Sequence, residues 1–219
     1  VISRISHAVG GQLQNPSGFV GRAFGTAMTL VNERANRLTI SELDIQPGHH
    51  VLELGFGPGR AIARMADRVG TGMVAGIDRS QVMMAQARRR NRRAIDAGRV
   101  RLMQGGFDNL PFPASSFDRV AAINVAYFWP RNNDIMREID RVTRFDGRIA
   151  LYATHRDAME RWFFTRTGSH RLYDETDLET LFTDYGFPVS QVRVVTAPVG
   201  FGVQGVCVIG SKAHTAFAD

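Results

Sequence analysis

Glu53-Leu54-Gly55-Phe56-Gly57-Pro58-Gly59 sets a carboxylate two residues ahead of three alternate glycines. Where side chains are missing, a backbone can turn sharply and lie directly against a ligand. A helix starting just beyond such a bend offers unpaired N–H groups and partial positive charge, which suits anionic or electron-rich ligand groups. Glu53 narrows the choice, because a carboxylate beside the bend repels a pyrophosphate and favours a ligand carrying ammonium and sulfonium charges. The spacing narrows it again. A dinucleotide fingerprint, G-x-G-x-x-G/A, would meet Arg60 or Ile62 at its sixth position, which argues against a dehydrogenase, and the Gly-Lys-Ser/Thr of a phosphate-binding loop is absent. Asp78 closes the next apolar run, 19 positions after Gly59. A carboxylate there accepts hydrogen bonds from ribose hydroxyls; its plainer role is to help start a helix beside Ser80.

Further along, Asn124 ends an apolar run, at the sheet edge where open α/β folds bind ligands. Tyr127, Phe128 and Trp129 follow it, and Trp162, Phe163 and Phe164 form a second aromatic run. Each run reads equally as core or as an apolar acceptor pocket over a sulfonium, where aromatic faces gain some cation–π attraction. His155 is the best-placed candidate general base, with a surface histidine as its plain alternative, and Tyr127 is the other catalytic candidate. His7, His49, His50, His170 and His214 lack metal-ligand spacing.

The elements that would hold these residues alternate strand and helix, the pattern of a parallel sheet with helices on both faces. Strands are expected over 51–54, 73–77, 100–104, 117–124, 148–153, 189–196 and 203–210, the last two antiparallel across a turn at 197–202. Helices are expected over 60–68, from a Ser80 cap to 97, over 134–144, and from Asp174 or Thr176 to Gly186. Residues 1–45 break this rhythm. A turn at 15–18 precedes Phe19, Phe24, Met28, Val31 and Leu38 at near-helical spacing, predicting one or two amphipathic helices.

Composition agrees with one globular core: 44% hydrophobic and 22% charged residues over 219. No apolar run reaches the ~18 residues of a membrane span, and residues 1–10 lack a signal peptide's apolar centre. The single cysteine, Cys207, excludes an internal disulfide framework, so a cytoplasmic protein is expected. The net charge of +6 invites a nucleic-acid partner. Of the 27 basic residues, however, only Lys212 is lysine, as a GC-rich genome would write it. The densest cluster, Arg88, Arg89, Arg90, Arg92 and Arg93, falls in a predicted helix, where its members point several ways rather than along one groove.

Residues 51–66 resemble motif I of the class I S-adenosylmethionine (SAM)-dependent methyltransferases, within the type 11, UbiE-like group, and the likeness runs through nearly the whole chain. Gly105-Gly106-Phe107-Asp108-Asn109-Leu110-Pro111-Phe112 is similar to that group's G-D-A-x-x-L-P-F segment, Phe117-Asp118-Arg119-Val120 to its F-D-x-V strand, and Arg137-Glu138-Ile139-Asp140-Arg141-Val142 to its R-E-x-x-R-V helix. The resemblance implies a Rossmann-like seven-stranded sheet, order 3-2-1-4-5-7-6 with strand 7 antiparallel, comprising residues 46–219 beneath a helical lid of residues 1–45. It implies SAM as cofactor and S-adenosylhomocysteine as product. The implied binding residues are Glu53, Gly55, Gly57, Gly59, Asp78, Arg79, Gly106, Phe107 and Asn124. Two positions depart from the pattern. Gly106 stands where the group carries the aspartate that contacts the adenine amino group, and Phe145-Asp146-Gly147 replaces Pro-Gly-Gly. Asn124-Val125-Ala126-Tyr127 has the register of the Asn-Pro-Pro-Tyr motif of amino-directed enzymes but lacks both prolines, so N-methylation is not inferred. The expected reaction is in-line methyl transfer to an O, N or C nucleophile of a small apolar or aromatic acceptor. An RNA-modifying enzyme would need a continuous positive surface leading to the cofactor, and a non-catalytic SAM-binding module would carry a degraded loop.

Overall fold

The computed structural model of the chain describes residues 31–130, 134–161 and 171–212. The stripe Phe19, Phe24 and Met28, the turn at 15–18, the aromatic run Trp162, Phe163 and Phe164, and His7, His170 and His214 lie outside those residues.

Strands β1 (His50–Leu54), β2 (Met73–Asp78) and β4 (Phe117–Ile123) are buried along almost their whole length, as parallel strands covered on both faces must be. With β3 (Val100–Gln104), β5 (Thr143–Thr154), β6 (Val192–Gly200) and β7 (Val203–Ser211) they build one sheet of order β3-β2-β1-β4-β5-β7-β6. The first five strands run parallel, and β7 runs antiparallel to both β5 and β6. This is the expected Rossmann-like topology. Alternation along each strand divides the core: Leu52, Leu54, Val120 and Leu151 pack on one face with α5 (Asp134–Val142) and α7 (Glu175–Thr183), while Val51, Ala121 and Tyr152 pack on the other.

That second face is covered by α1 (residues 31–42), α2 (Arg60–Ala66) and α3 (Gln81–Arg90). Val31, Ala35, Ile40 and Leu43 share one hydrophobic cluster with Ile123, Cys207 and Ile209. Arg119 Nε donates to the Leu43 carbonyl (2.6 Å) and Arg148 Nη1 to that of Glu42 (3.1 Å), so two strand arginines satisfy the end of α1. The described part of the expected lid, residues 31–43, thus packs against the second face of the sheet.

Several bounds differ from expectation, the following for local reasons. The helix capped by Ser80, whose hydroxyl accepts from the Met83 amide (3.3 Å), stops at Arg90; a separate α4 covers Arg92–Asp96. Asn91 divides them because its buried amide turns inward, donating to the carbonyls of Gly59 (3.0 Å) and Ala87 (2.9 Å). Strand β5 begins at Thr143, directly after α5, because Thr143 pairs with Phe117 across a bulge. β4 ends at Ile123, since Asn124 enters the left-handed region at φ 54°. β6 starts after a 3-10 turn, Val189–Gln191, and pairs with β7 up to Gly200, which shrinks the hairpin turn to Phe201 and Gly202.

Candidate active site

The carboxyl ends of β1, β2, β3, β4 and β5 converge on one edge of the sheet, and the sequence-predicted residues sit along it. The three glycines of the first bend are needed for different reasons. A Cβ on Gly55 would lie 2.5 Å from Val125, and one on Gly59 equally close to the Asn91 amide, so both are closed in by neighbouring chain. Gly57 meets nothing within 4 Å; only its φ of +51° requires glycine. The open side of the bend is therefore at Gly57. Arg90, one of the clustered arginines, braces the loop by donating to the Pro58 carbonyl (2.9 Å).

Glu53, in the strand that leads into the bend, is 2% exposed. Burial pushes its carboxyl up to about 8, reinforced by the nearby Asp78 charge and opposed by a hydrogen bond from the Ile62 backbone at the start of α2. Its Oε2 has no hydrogen-bond partner among the described residues. An orphaned buried carboxylate oxygen costs free energy until something meets it. With room left open at Gly57, that deficit fits a ligand bearing a cationic group, so the residues present fit SAM.

Asp78 accepts from the Gly57 amide (2.8 Å) through Oδ2 and from the Ser80 amide (2.8 Å) through Oδ1. It thus fastens the loop to the start of α3. Each oxygen retains a lone pair, so the ribose role and the helix-starting role are compatible. At the end of β3, the Arg79 guanidinium lies 5.4 Å from the centre of the buried Phe107 ring and 3.7 Å from Asp108 Oδ1. A Cβ on Gly106 would come 2.6 Å from that same Asp108 oxygen.

On the other side of the edge, Asn124, Tyr127 and Thr154 form a polar ring. The Thr154 amide donates to the Tyr127 hydroxyl, which donates to Asn124 Oδ1 (2.7 Å); Thr154 Oγ1 also donates there (3.3 Å), and Asn124 Nδ2 donates to Asn32 Oδ1 (3.0 Å) on α1. Burial raises the Tyr127 phenol to about 12, so it stays protonated at neutral pH. Tyr127 and Trp129 belong to the core, and of that aromatic run only Phe128 is exposed, at 60%. The core reading holds for two of the three. His155 accepts from the Asp157 amide (3.1 Å) through Nδ1, capping α6 (Arg156–Glu160), and its Nε2 lies 3.1 Å from Glu175. The imidazole read as a candidate general base has hydrogen-bond contacts at both nitrogens, because the chain turns from β5 into α6 at this residue. Among the described residues no three His, Cys, Asp or Glu side chains converge as a metal site.

Asn32, Asn91, Asp108 and Thr154 escaped the sequence reading. Only Asn91 left a usable signal: it continues the buried stripe of Met84 and Ala87 at helical spacing, where a polar residue must find partners.

A family model described as a methyltransferase domain matches residues 51–147, the stretch from β1 into β5. The uncharacterized methyltransferase YdaC of Bacillus subtilis (strain 168) is 34% identical over 134 residues, covering 61% of this chain and 72% of that protein. The 24-methylenesterol C-methyltransferase 2 of Oryza sativa subsp. japonica is 31% identical over 132 residues, covering 60% of this chain and 35% of the relative. A SAM-dependent methyltransferase from Aquifex aeolicus superposes with a TM-score of 0.62 at 19% identity, over 80% of this chain and 88% of its own. A bend open at Gly57, a buried carboxyl with an unmet oxygen, and this strand order thus meet a sequence match across most of YdaC, and the chain belongs to the class I SAM-dependent methyltransferases.

Proposed function

We propose that the protein transfers the SAM methyl group to a small, apolar acceptor, with the bend at Gly57 and Glu53 as its cofactor site. When bound, SAM supplies an electrophilic methyl on a cationic sulfur. Glu53, ionised, would attract the cationic methionine end, Asp78 would accept ribose hydroxyl protons, and the amide of Gly57 is held in place by Asp78 before any ligand arrives. Asp108, rather than residue 106, supplies the carboxylate for the adenine amino group: without a Cβ, Gly106 leaves that carboxylate its space, and Arg79 steadies it. The chain contributes chiefly positioning and exclusion of water, which suffices for an activated methyl donor. The observation that carries this reading is the buried, unpartnered Oε2 of Glu53, in the strand that leads into the bend open at Gly57.

The acceptor class is supported by exposed Phe128 just past the end of β4, and by the relative named a 24-methylenesterol C-methyltransferase. RNA is the second reading, favoured by the charge of +6. Calorimetry with SAM and with S-adenosylhomocysteine tests the cofactor; binding of neither overturns the enzyme reading. Methyl-labelled SAM, offered with a panel of isoprenoid and phenolic compounds or with bulk RNA, tests the acceptor. Label passing into the organic phase is the expected result, and label precipitating with RNA overturns it.

A further inference from the structure

Asn32 lies outside the segment matched by the methyltransferase model, on a helix whose role in the reaction nothing so far assigns. Three contacts show where that helix begins its path across the sheet. Glu33 pairs with Arg64 of α2, Asn32 reaches Asn124 at the end of β4, and the Arg34 guanidinium lies 2.9 Å from where a Cβ on Gly200 would stand. The described start of α1 therefore spans the edge that carries the candidate site.

Hydrogen-bond direction then runs one way through the polar ring. The Thr154 amide can only donate, so the Tyr127 oxygen accepts and its single proton goes to Asn124 Oδ1. Thr154 Oγ1 donates to the same oxygen. Asn124 must then turn its NH2 the other way, and the group waiting there is Asn32 Oδ1, an acceptor. Asn124 is also the residue held in the left-handed conformation, and its neighbour Val125 packs against Gly55. Freedom at Asn124 is therefore freedom beside the glycine loop.

We propose that Asn32 is a positioning residue for the methyl transfer: its side-chain oxygen locks the orientation of the Asn124 amide and so holds the β4 edge against the cofactor loop. The inference rests on the SAM-dependent reading above. Asn32 acts through Asn124 and touches no reacting atom.

The test compares Asn32→Ala, Asn32→Asp, Tyr127→Phe and the Ala/Phe double variant in the full chain, by SAM calorimetry and thermal melting. Asn32→Ala removes the acceptor oxygen, and SAM affinity should fall about tenfold, because binding must then fix an amide that the parent holds beforehand. Asn32→Asp keeps an acceptor at that position and should retain most of the affinity. Tyr127→Phe frees the same amide from its other side, so the double variant should be little worse than either single change. An Asn32→Ala protein that melts earlier yet binds SAM normally overturns the inference, as does Asn32→Asp failing as badly as Asn32→Ala, or full additivity of the two changes. If Asn32→Ala does not fold, the Asn32→Asp and Tyr127→Phe proteins carry the same decision: both should keep a folded melt, with affinity lost only in the second. A parent protein that binds no SAM strikes the functional reading itself, whereas a parent that binds and an Asn32→Ala protein that binds equally well strikes this inference alone.

Discussion

The two halves of the ligand-bearing edge are built on opposite principles. At β1 and β2 the buried Glu53 carboxyl is left with an unmet oxygen, and the bend that follows it is open at Gly57. At β4 and β5, Asn124, Tyr127 and Thr154 meet one another's hydrogen-bonding needs, and His155 is spent on capping α6. The first half stores an electrostatic deficit that a cation would relieve. The second, among the described residues, meets its own hydrogen-bonding needs. Such a division suits a reaction whose donor arrives already activated, because the protein then gains more by fixing positions than by moving protons.

Filling the open half should break it most completely. Gly57→Val adds a branched side chain where no atom now lies within 4 Å and forces it to φ +51°. Loss of ligand space should reduce SAM affinity at least about a hundredfold by calorimetry, while strain of about 1–3 kcal/mol at such a position lowers the stability of the fold.

The stored deficit should also show as opposite pH dependences of stability and binding. Glu53 is raised from the usual 4.5 to about 8, so the ligand-free protein has this carboxyl's full contribution to stability below about 4.5 and loses it as pH rises through about 8. SAM affinity should move the other way, tightening over the upper part of that window as the carboxylate forms. Glu53→Gln should flatten both curves, read by denaturant unfolding and by calorimetry across pH 5–9; a parent protein whose SAM affinity is flat across that range would remove Glu53 from the cation site.

A smaller effect tests the β3 end of the same half. Asp108→Ala should weaken SAM about tenfold, the worth of one hydrogen bond to a charged acceptor, and should cost less for a nucleoside lacking the adenine amino group. Equal loss for both nucleosides would remove the adenine contact.

The smallest effect belongs to the closed half. His155→Ala should leave turnover on an identified acceptor unchanged while removing a helix cap worth about 1 kcal/mol, a fall of roughly 2–4 °C in melting temperature for a chain of this size. Loss of turnover with an unaltered melt would return His155 to catalysis.

Legibility followed how local each cause was. The bend 53–59 could be read because alternate glycines after an apolar run serve few other purposes, and the Ser80 cap because its hydroxyl acts three residues away. Asn91 interrupts a helix for the sake of Gly59, 32 residues earlier, and the helical stripe alone predicted continuation to 97. Asp108 fills the space left by Gly106 only because the loop after β3 folds back on itself. The Glu175 contact of His155 was not legible because those residues stand 20 positions apart and meet only in the fold.

From the order of its residues alone, this protein determined its strand sequence, its glycine bend and the acidic ends of β1 and β2. Each of these depends on backbone freedom and on charge carried within a few positions. Tertiary packing decided which glycine faces open space, which carboxylate stays unmet, and which way the Asn124 amide points. Those outcomes depend on atoms that approach from distant segments, as Asn32 does across 92 positions of chain, and a hydrogen bond takes its direction only when both of its ends are in place.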